Sequence, residues 1–429
     1  VSALRKTLTV DLLFNYASLA LLAGGGLLAN VVVARSLGEA ALGIFNQAYA
    51  VYIACSQLAV GGVHVSVLRS VAQSHADPTE QARVVTSGLA LSLLLGSAVG
   101  ALVWLGRGAL GLALDSPEVT EALGFVAPAL LPFAVNKTLL NTFNGLQSMR
   151  TYALLQAARV CALLATLSAL AWYRRPAAEL TLALLAAELV VLLLALPTLI
   201  VRLRLRLGQV DGHWLKHHLS FGLRGMLSGV FLELNTRIDV LAIGFFASDD
   251  AVGRYSLAAV FAEGLYQCLI VVRNQVNPVL ARLLAQQDTG QLLALVRRAW
   301  RYLYPGMAVV YLAGVGALYL VLTRQVALPD PGATLACYLI LGAGVWGVSG
   351  FVPFDGALLH AGYPAHYTLL TLLTTASNLV LNLALIPILG IMGAALGTAL
   401  ALLLSIGFLS SIMSRRLGFH YLQGRARIA

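Results

Sequence analysis

Residues 229–247 read GVFLELNTRIDVLAIGFFA. At about 1.5 Å of rise per residue, some 20 apolar residues cross a bilayer's hydrocarbon core, so this run is long enough to span one. Yet it carries Glu233, Arg237 and Asp239. Ionisable groups inside a span are costly and face a bundle interior, a wet cavity or one another. A lone anchor offers none of these, so the stretch points to a bundle of many helices.

The rest of the chain agrees. Of its 429 residues, 59% are apolar and 11% charged, and its net charge is +10. Soluble domains carry about 25% charged residues. Mean hydropathy is +0.84. This is the balance of a polytopic membrane protein. Cys55, Cys161, Cys268 and Cys337 lie far apart in apolar segments, with no C-x-x-C spacing for a disulfide framework or zinc site. No basic patch with interleaved aromatics suggests nucleic acid, and no Walker, H-E-x-x-H or Ser/His/Asp pattern suggests an enzyme. The first apolar run is too long, and too interrupted by Asp11, Asn15 and Asn30, for a cleaved leader. A retained first helix is expected.

Apolar length predicts an all-α fold with twelve spans, near 11–34, 41–68, 84–106, 119–147, 151–173, 178–201, 218–246, 251–279, 299–322, 332–359, 364–387 and 391–413. With both termini cytoplasmic, 18 Lys and Arg fall in inside loops and tails and 6 in outside loops. That bias favours this orientation. The longest hydrophilic connection, RLRLRLGQVDGHWLKHH at 202–218, sits mid-chain. It suggests lobes of six helices each, over 1–206 and 207–429. No loop is long enough for a catalytic domain.

The halves repeat. ALGIFNQAYAV (41–51) aligns with AVGRYSLAAVF (251–261), and TFNGL (142–146) with PFDGA (353–357), at offsets of 210 and 211. An even number of helices separates the repeats, so they run parallel around an expected central cavity. Asn46, Gln57 and His64 share one face of the second helix within about 20°. Ser256, Glu263, Gln267 and Asn274 share one face of the eighth within about 40°. Both stripes could line the cavity, or serve hydrogen bonds between helices inside a lobe.

Lys137, Asn141 and Asn144 share a face of the fourth helix, near Arg159 on the fifth. With Arg69 and Arg224 they would form a basic pocket suited to phosphate. Lys137 and Arg159 could instead snorkel to the interface. In the seventh helix Glu233 and Arg237 are spaced to pair across one turn. Asp239 leans toward the face of Arg224 and has no partner in its own helix at the right angle.

Three features carry a family resemblance: ARSLGEAALGIFNQAYAV (34–51) with LAVGGVHVSVLRSVAQ (58–73), NTRIDVLAIGFFASDDAVGRYSLAAVFAE (235–263) with VNPVLARL (276–283), and the twelve-helix layout with short loops. The chain resembles the polysaccharide biosynthesis transporters. These are flippases for lipid-linked oligosaccharides in the multidrug/oligosaccharidyl-lipid/polysaccharide (MOP) exporter superfamily. The length fits twelve spans, against the fourteen of the peptidoglycan-precursor branch. The resemblance implies alternating access, with a polyprenyl-pyrophosphate-linked oligosaccharide crossing a bacterial cytoplasmic membrane. It implies no cofactor, and a drive from an ion gradient or the membrane potential, with Na⁺, H⁺ or neither as the coupling ion. It puts Arg237 and Asp239 at the family's seventh-helix Arg-x-Asp and Arg69 at the end of the second helix. Glu233, Arg237, Asp239 and Glu263 are the gating or ion-coupling candidates. Membrane lipids and other polysaccharide assembly proteins are the implied partners, with the chain a monomer. A cation-coupled drug antiporter, and after it a membrane glycan polymerase or ligase, are the competing readings.

Overall fold

The protein is described here from a computed structural model. It describes residues 2–74, 77–286, 288–326, 330–417, 419–420 and 425–426, with side chains from residue 24 to 416 apart from 225, 227, 228, 232 and 289. Asp11 and Asn15 fall outside the described side chains.

In chain order the helices are α1 (Ser2–Val60), α2 (Val63–Gln73), α3 (Pro78–Ala113), α4 (Pro117–Val126), α5 (Leu130–Gly145), α6 (Met149–Trp172), α7 (Leu182–Leu203) and α8 (Gly212–Asn235). Then come α9 (Ile238–Phe246), α10 (Asp249–Ala285), α11 (Thr289–Arg324), α12 (Pro331–Val348), α13 (Ala357–His360), α14 (Pro364–Leu389) and α15 (Ile391–Leu417). Phe419–His420 and Arg425–Ala426 form a small antiparallel ribbon in the tail.

Among the described residues, 10 helices are long and apolar enough to cross a membrane. Two local breaks relate this number to the twelve expected spans. Gly38, with φ 89° and ψ −176°, interrupts α1 and separates the first expected span from the second. Thr236 and Arg237 interrupt the seventh expected span between α8 and α9. Counted across these breaks, the rods are twelve.

Local chemistry sets the helix starts. Asp77 accepts hydrogen bonds from the amides of Thr79 at 2.9 Å and Glu80 at 3.1 Å, with Pro78 opening α3. Ser116 and Asp330 cap α4 and α12 in the same way, ahead of Pro117 and Pro331. Such caps satisfy amides that a helix start leaves open, and proline in the first turn sacrifices none that are needed. Starts at Pro78, Pro117 and Met149 recur at Thr289, Pro331 and Pro364, which are 211, 214 and 215 residues later.

The chain packs as two compact units, Val1–Arg237 and Ile238–Ala429. Packing places α8 in the first unit, against α1, α2 and α3, although the sequence repeat begins near 207. The reason lies at Gly61 and Gly62, which hold left-handed backbone at φ 53° and 70°. There the chain runs so close to α8 that a Cβ on Gly62 would sit 2.7 Å from the Gly222 carbonyl oxygen. Helices in lipid associate through such small-residue approaches, because lipid provides no hydrophobic drive between them. The first unit's core centres on Val67, Leu139, Phe143, Val191 and Leu199. The second has one cluster around Leu280, Phe354 and Met413 and another around Leu265, Leu269 and Val345.

Candidate functional site

The first unit contains a charged cluster built by four helices. Glu188 of α7 is 3% exposed. Its carboxylate accepts from Arg159 Nη2 of α6 at 3.0 Å, from Asn136 Nδ2 of α5 at 2.8 Å and from the Tyr52 hydroxyl of α1 at 3.3 Å. Asn136 Nδ2 also donates to the Glu188 carbonyl at 2.7 Å. A buried ion pair is tolerable only when its remaining valences are met in this way. The Glu188 carboxylate is therefore fixed from three sides.

An aromatic ladder runs beside the pair. Phe45 stacks on Tyr49 and Tyr49 on Tyr52, each with centroids 6.2 Å apart, and Tyr52 meets Phe133 edge-on at 5.4 Å. Three cations lie on this ladder. Arg159 and Lys137 approach the Phe133 ring at 5.7 and 5.4 Å, and Arg237 approaches Tyr49 at 5.2 Å. Ring faces attract cations, more strongly once water is excluded. Lys137 is half-buried and makes no hydrogen bond or ion pair among the described residues. Arg159, Glu233 and Glu188 all act on it electrostatically, and it acts on His64. The cluster thus brings Lys137 and Arg159 together with Glu188 and Glu233, with Arg237 on the same aromatic ladder.

This arrangement corrects several sequence expectations. Arg159 is not an open anion ligand, because Glu188 holds one arm of its guanidinium. Asn46, expected to line a cavity, is held by partners of its own unit. It is 5% exposed and donates to Asn30 Oδ1 at 2.9 Å and to the Leu42 carbonyl at 3.0 Å, so it serves packing inside the unit. The expected one-turn pairing of Glu233 with Arg237 does not form. The helix ends at Asn235, and the turn at Thr236 and Arg237 carries the guanidinium onto Tyr49. The expected basic pocket is also divided. Lys137 and Arg159 share Phe133, while Arg69 and Arg224 lie exposed against one turn of α8. There Arg69 is 5.9 Å from the Phe221 ring and Arg224 Nη2 is 3.4 Å from Ser220 Oγ.

Other candidates fall as follows. Asn141 Nδ2 donates to the Lys137 carbonyl at 2.9 Å, and Asn144 is half-buried near the end of α5. Gln57 is half-buried and lies toward α8, where a Cβ on Gly229 would sit 3.5 Å from its Oε1. His64 is half-buried, and its Nδ1 is enclosed without a hydrogen-bond partner. In the second unit Gln267 and Asn274 are exposed along α10, Ser256 is buried and Glu263 is half-buried.

Asp239 has the partner that its own helix lacks. It is 8% exposed, its Oδ1 accepts the Val240 amide at 2.9 Å, and the Tyr255 hydroxyl of α10 donates to its Oδ2. Within the same unit Asn378 Oδ1 accepts from Asn382 Nδ2 and from Thr398 Oγ1, both at 3.2 Å. Sequence reasoning missed Glu188, Tyr52, Asn136 and Tyr255. The signal for Glu188 was available, since an acid inside so apolar a span is a functional candidate by default.

Among curated proteins, no sequence matches the chain. Among solved structures, it is similar to an inward-facing multidrug resistance MATE family transporter of the MOP superfamily. The TM-score is 0.77 at 15% identity, covering 91% of this chain and 94% of that one. It is similar to the lipid II flippase MurJ in an inward closed conformation, with TM-score 0.78 at 14% identity, covering 97% and 90%. A MOP superfamily transporter from Pyrococcus furiosus, described by the reverse polarity of its binding pocket, gives TM-score 0.59 at 17% identity, covering 92% of each. At these identities the likeness is one of fold. Residues 13–284, more than half of the chain, match the family described as polysaccharide biosynthesis protein. The chain has the MOP transporter fold and belongs to the polysaccharide biosynthesis protein family.

Proposed function

We propose that the protein flips a polyprenyl-pyrophosphate-linked oligosaccharide across the cytoplasmic membrane by alternating access. The observation that carries this reading is Lys137. It is a half-buried cation without an ion-pair partner among the described residues, beside the Arg159 guanidinium on the Phe133 ring. Lys donates three hydrogen bonds from a flexible stem, which suits a pyrophosphate entering from variable directions. Arg159, oriented by Glu188, offers its remaining donors beside it. A dianionic head group would compete with Glu188 and Glu233 for these cations. The nearby asparagines, Asn141 and Asn144, would meet sugar hydroxyls.

In this reading Arg69 and Arg224 form a second basic station on α8, and Gln57, His64, Gln267 and Asn274 meet the glycan. Asp239 and Glu263 carry coupling to Na⁺ or H⁺. The two six-helix repeats divide between 206 and 207, a reading supported by helix starts that recur 211 to 215 residues apart. Both termini are cytoplasmic, and the chain works as a monomer beside other polysaccharide assembly proteins. A drug antiporter would favour an acidic site, and Lys137 without an ion-pair partner among the described residues speaks against it. A polymerase or ligase would need a catalytic group that no loop supplies.

The test is a flip assay in vesicles. Purified protein is reconstituted with a fluorescent polyprenyl-pyrophosphate oligosaccharide, and its exposure to an outside reagent is followed with and without Na⁺ and proton gradients. Protein-dependent movement supports the reading, and movement no faster than in empty vesicles sinks it.

A further inference from the structure

Away from the charged cluster, the first unit bears an apolar groove of about 740 Å³, lined by α3, the α4–α5 region and α7. Its volume lies in the roughly 300–1,000 Å³ range of small-molecule sites. Its floor exists because three helices approach without side chains between them. A Cβ on Gly96 would lie 3.0 Å from the Leu131 Cα, and one on Gly100 would lie 2.9 Å from the Ala127 carbonyl oxygen. Leu105 and Leu189 form exposed apolar walls.

One end of the groove is charged. Trp104 lines it, and Arg107 lies over the Trp104 ring at 4.6 Å. Gly124, another lining residue, makes room for this guanidinium, because a Cβ there would sit 2.8 Å from Arg107 Nη1. Arg107 has no ion pair among the described residues. Trp104 and Arg107 lie inside α3, where the span expected at 84–106 ends, and Trp and Arg at a span's end mark the head-group level of a membrane. From Arg107 to Gly96 is eleven residues of helix, about 16 Å. That is close to the depth of one leaflet, about half of the 30 Å hydrocarbon core.

We propose that this groove is a binding site for one anionic phospholipid, with an acyl chain along α3 and its phosphate on Arg107. The charged mouth selects an anionic head group, since guanidinium binds phosphate through paired donors. The one-leaflet length selects a phospholipid chain over the longer polyprenyl tail of a substrate. The site is independent of the transported molecule, and so is its test.

The protein is reconstituted in phosphatidylcholine vesicles containing increasing fractions of phosphatidylglycerol with brominated acyl chains, or of brominated phosphatidylcholine. Trp104 emission is isolated by subtracting the Trp104→Phe variant. The expected result is saturable quenching, half-maximal at a several-fold lower fraction of brominated phosphatidylglycerol than of brominated phosphatidylcholine. Arg107→Gln should remove that preference and Arg107→Lys should retain it, which separates loss of charge from misfolding. Ala101→Phe, which fills the groove from an exposed position, should remove the saturable phase. Equal quenching by the two lipids in the wild type, or an unchanged preference in Arg107→Gln, overturns the proposal. So does relief of quenching by polyprenyl phosphate and not by unbrominated phosphatidylglycerol, which would make the occupant a substrate tail.

Discussion

The Arg159 guanidinium meets the Glu188 carboxylate at 3.0 Å between two spanning helices, and Asn136 and Tyr52 complete the carboxylate's shell. Removing one partner of a buried pair leaves the other charge uncompensated, at a cost of about 3–5 kcal/mol. Glu188→Ala should therefore lower the melting temperature in detergent markedly. Glu188→Gln keeps the shape and one acceptor but leaves Arg159 equally uncompensated, so it should also lower the melting temperature, by less than Glu188→Ala. Equal melting of wild type and Glu188→Ala would show that the pair contributes nothing to the fold.

Lys137 meets the Phe133 ring but makes no ion pair among the described residues, so its loss should be read mainly in transport. Lys137→Ala removes a charge-assisted hydrogen bond worth about 1.5–3 kcal/mol. Roughly a 10- to 150-fold weaker apparent affinity for substrate follows, with melting little changed. Lys137→Arg should recover part of it. Initial flip rates against substrate concentration, together with a melting curve, check both halves.

Tyr255 donates its hydroxyl to Asp239 across α9 and α10. Tyr255→Phe removes this donor from a buried carboxylate and should cost about 1–3 kcal/mol of stability. Asp239→Asn can still accept the Tyr255 hydroxyl, so it should fold. Under the coupling proposed for Asp239, its flip rate should no longer respond to an imposed ion gradient. A wild-type gradient response in folded Asp239→Asn would remove Asp239 from the coupling role.

Gly62 is confined twice, by φ 70° and by the Gly222 backbone. Left-handed backbone costs an L side chain about 1–2 kcal/mol before any clash is counted. Gly62→Ala should destabilise the protein by at least that amount and loosen α8 from α2. Gly24→Ala, in an open part of α1, should be neutral or slightly stabilising. Melting curves of the two variants side by side make the comparison.

The twelve rods were legible because apolar length and positive-inside charge act locally along the chain. The Gly38 break was legible in kind, as a gap between two apolar runs. The break at Thr236 and Arg237 was not, since neither Gly nor Pro marks it and the apolar pattern continues through it. For this reason the sequence paired Glu233 with Arg237 on a helix that the structure ends. The polar stripe of Asn46, Gln57 and His64 was read on one continuous helix, but the left-handed Gly61 and Gly62 end α1 at Val60 and put His64 on α2, and periodicity could not say that Asn46 meets Asn30. Glu188 and Arg159 are 29 residues apart on different helices, and Tyr255 and Asp239 are 16 apart. Such pairs are set by how helices cross, which no spacing rule encodes.

The central claim is that Lys137, a cation of the first unit without an ion-pair partner among the described residues, recognises the anionic head of a lipid-linked glycan. The most direct measurement is the vesicle flip rate of one fluorescent polyprenyl-pyrophosphate oligosaccharide by wild type, Lys137→Ala and Lys137→Arg at matched melting temperature. The account predicts protein-dependent flipping that falls at least tenfold in Lys137→Ala at subsaturating substrate and partly returns in Lys137→Arg. Flipping by Lys137→Ala at the wild-type rate across all substrate concentrations would contradict it.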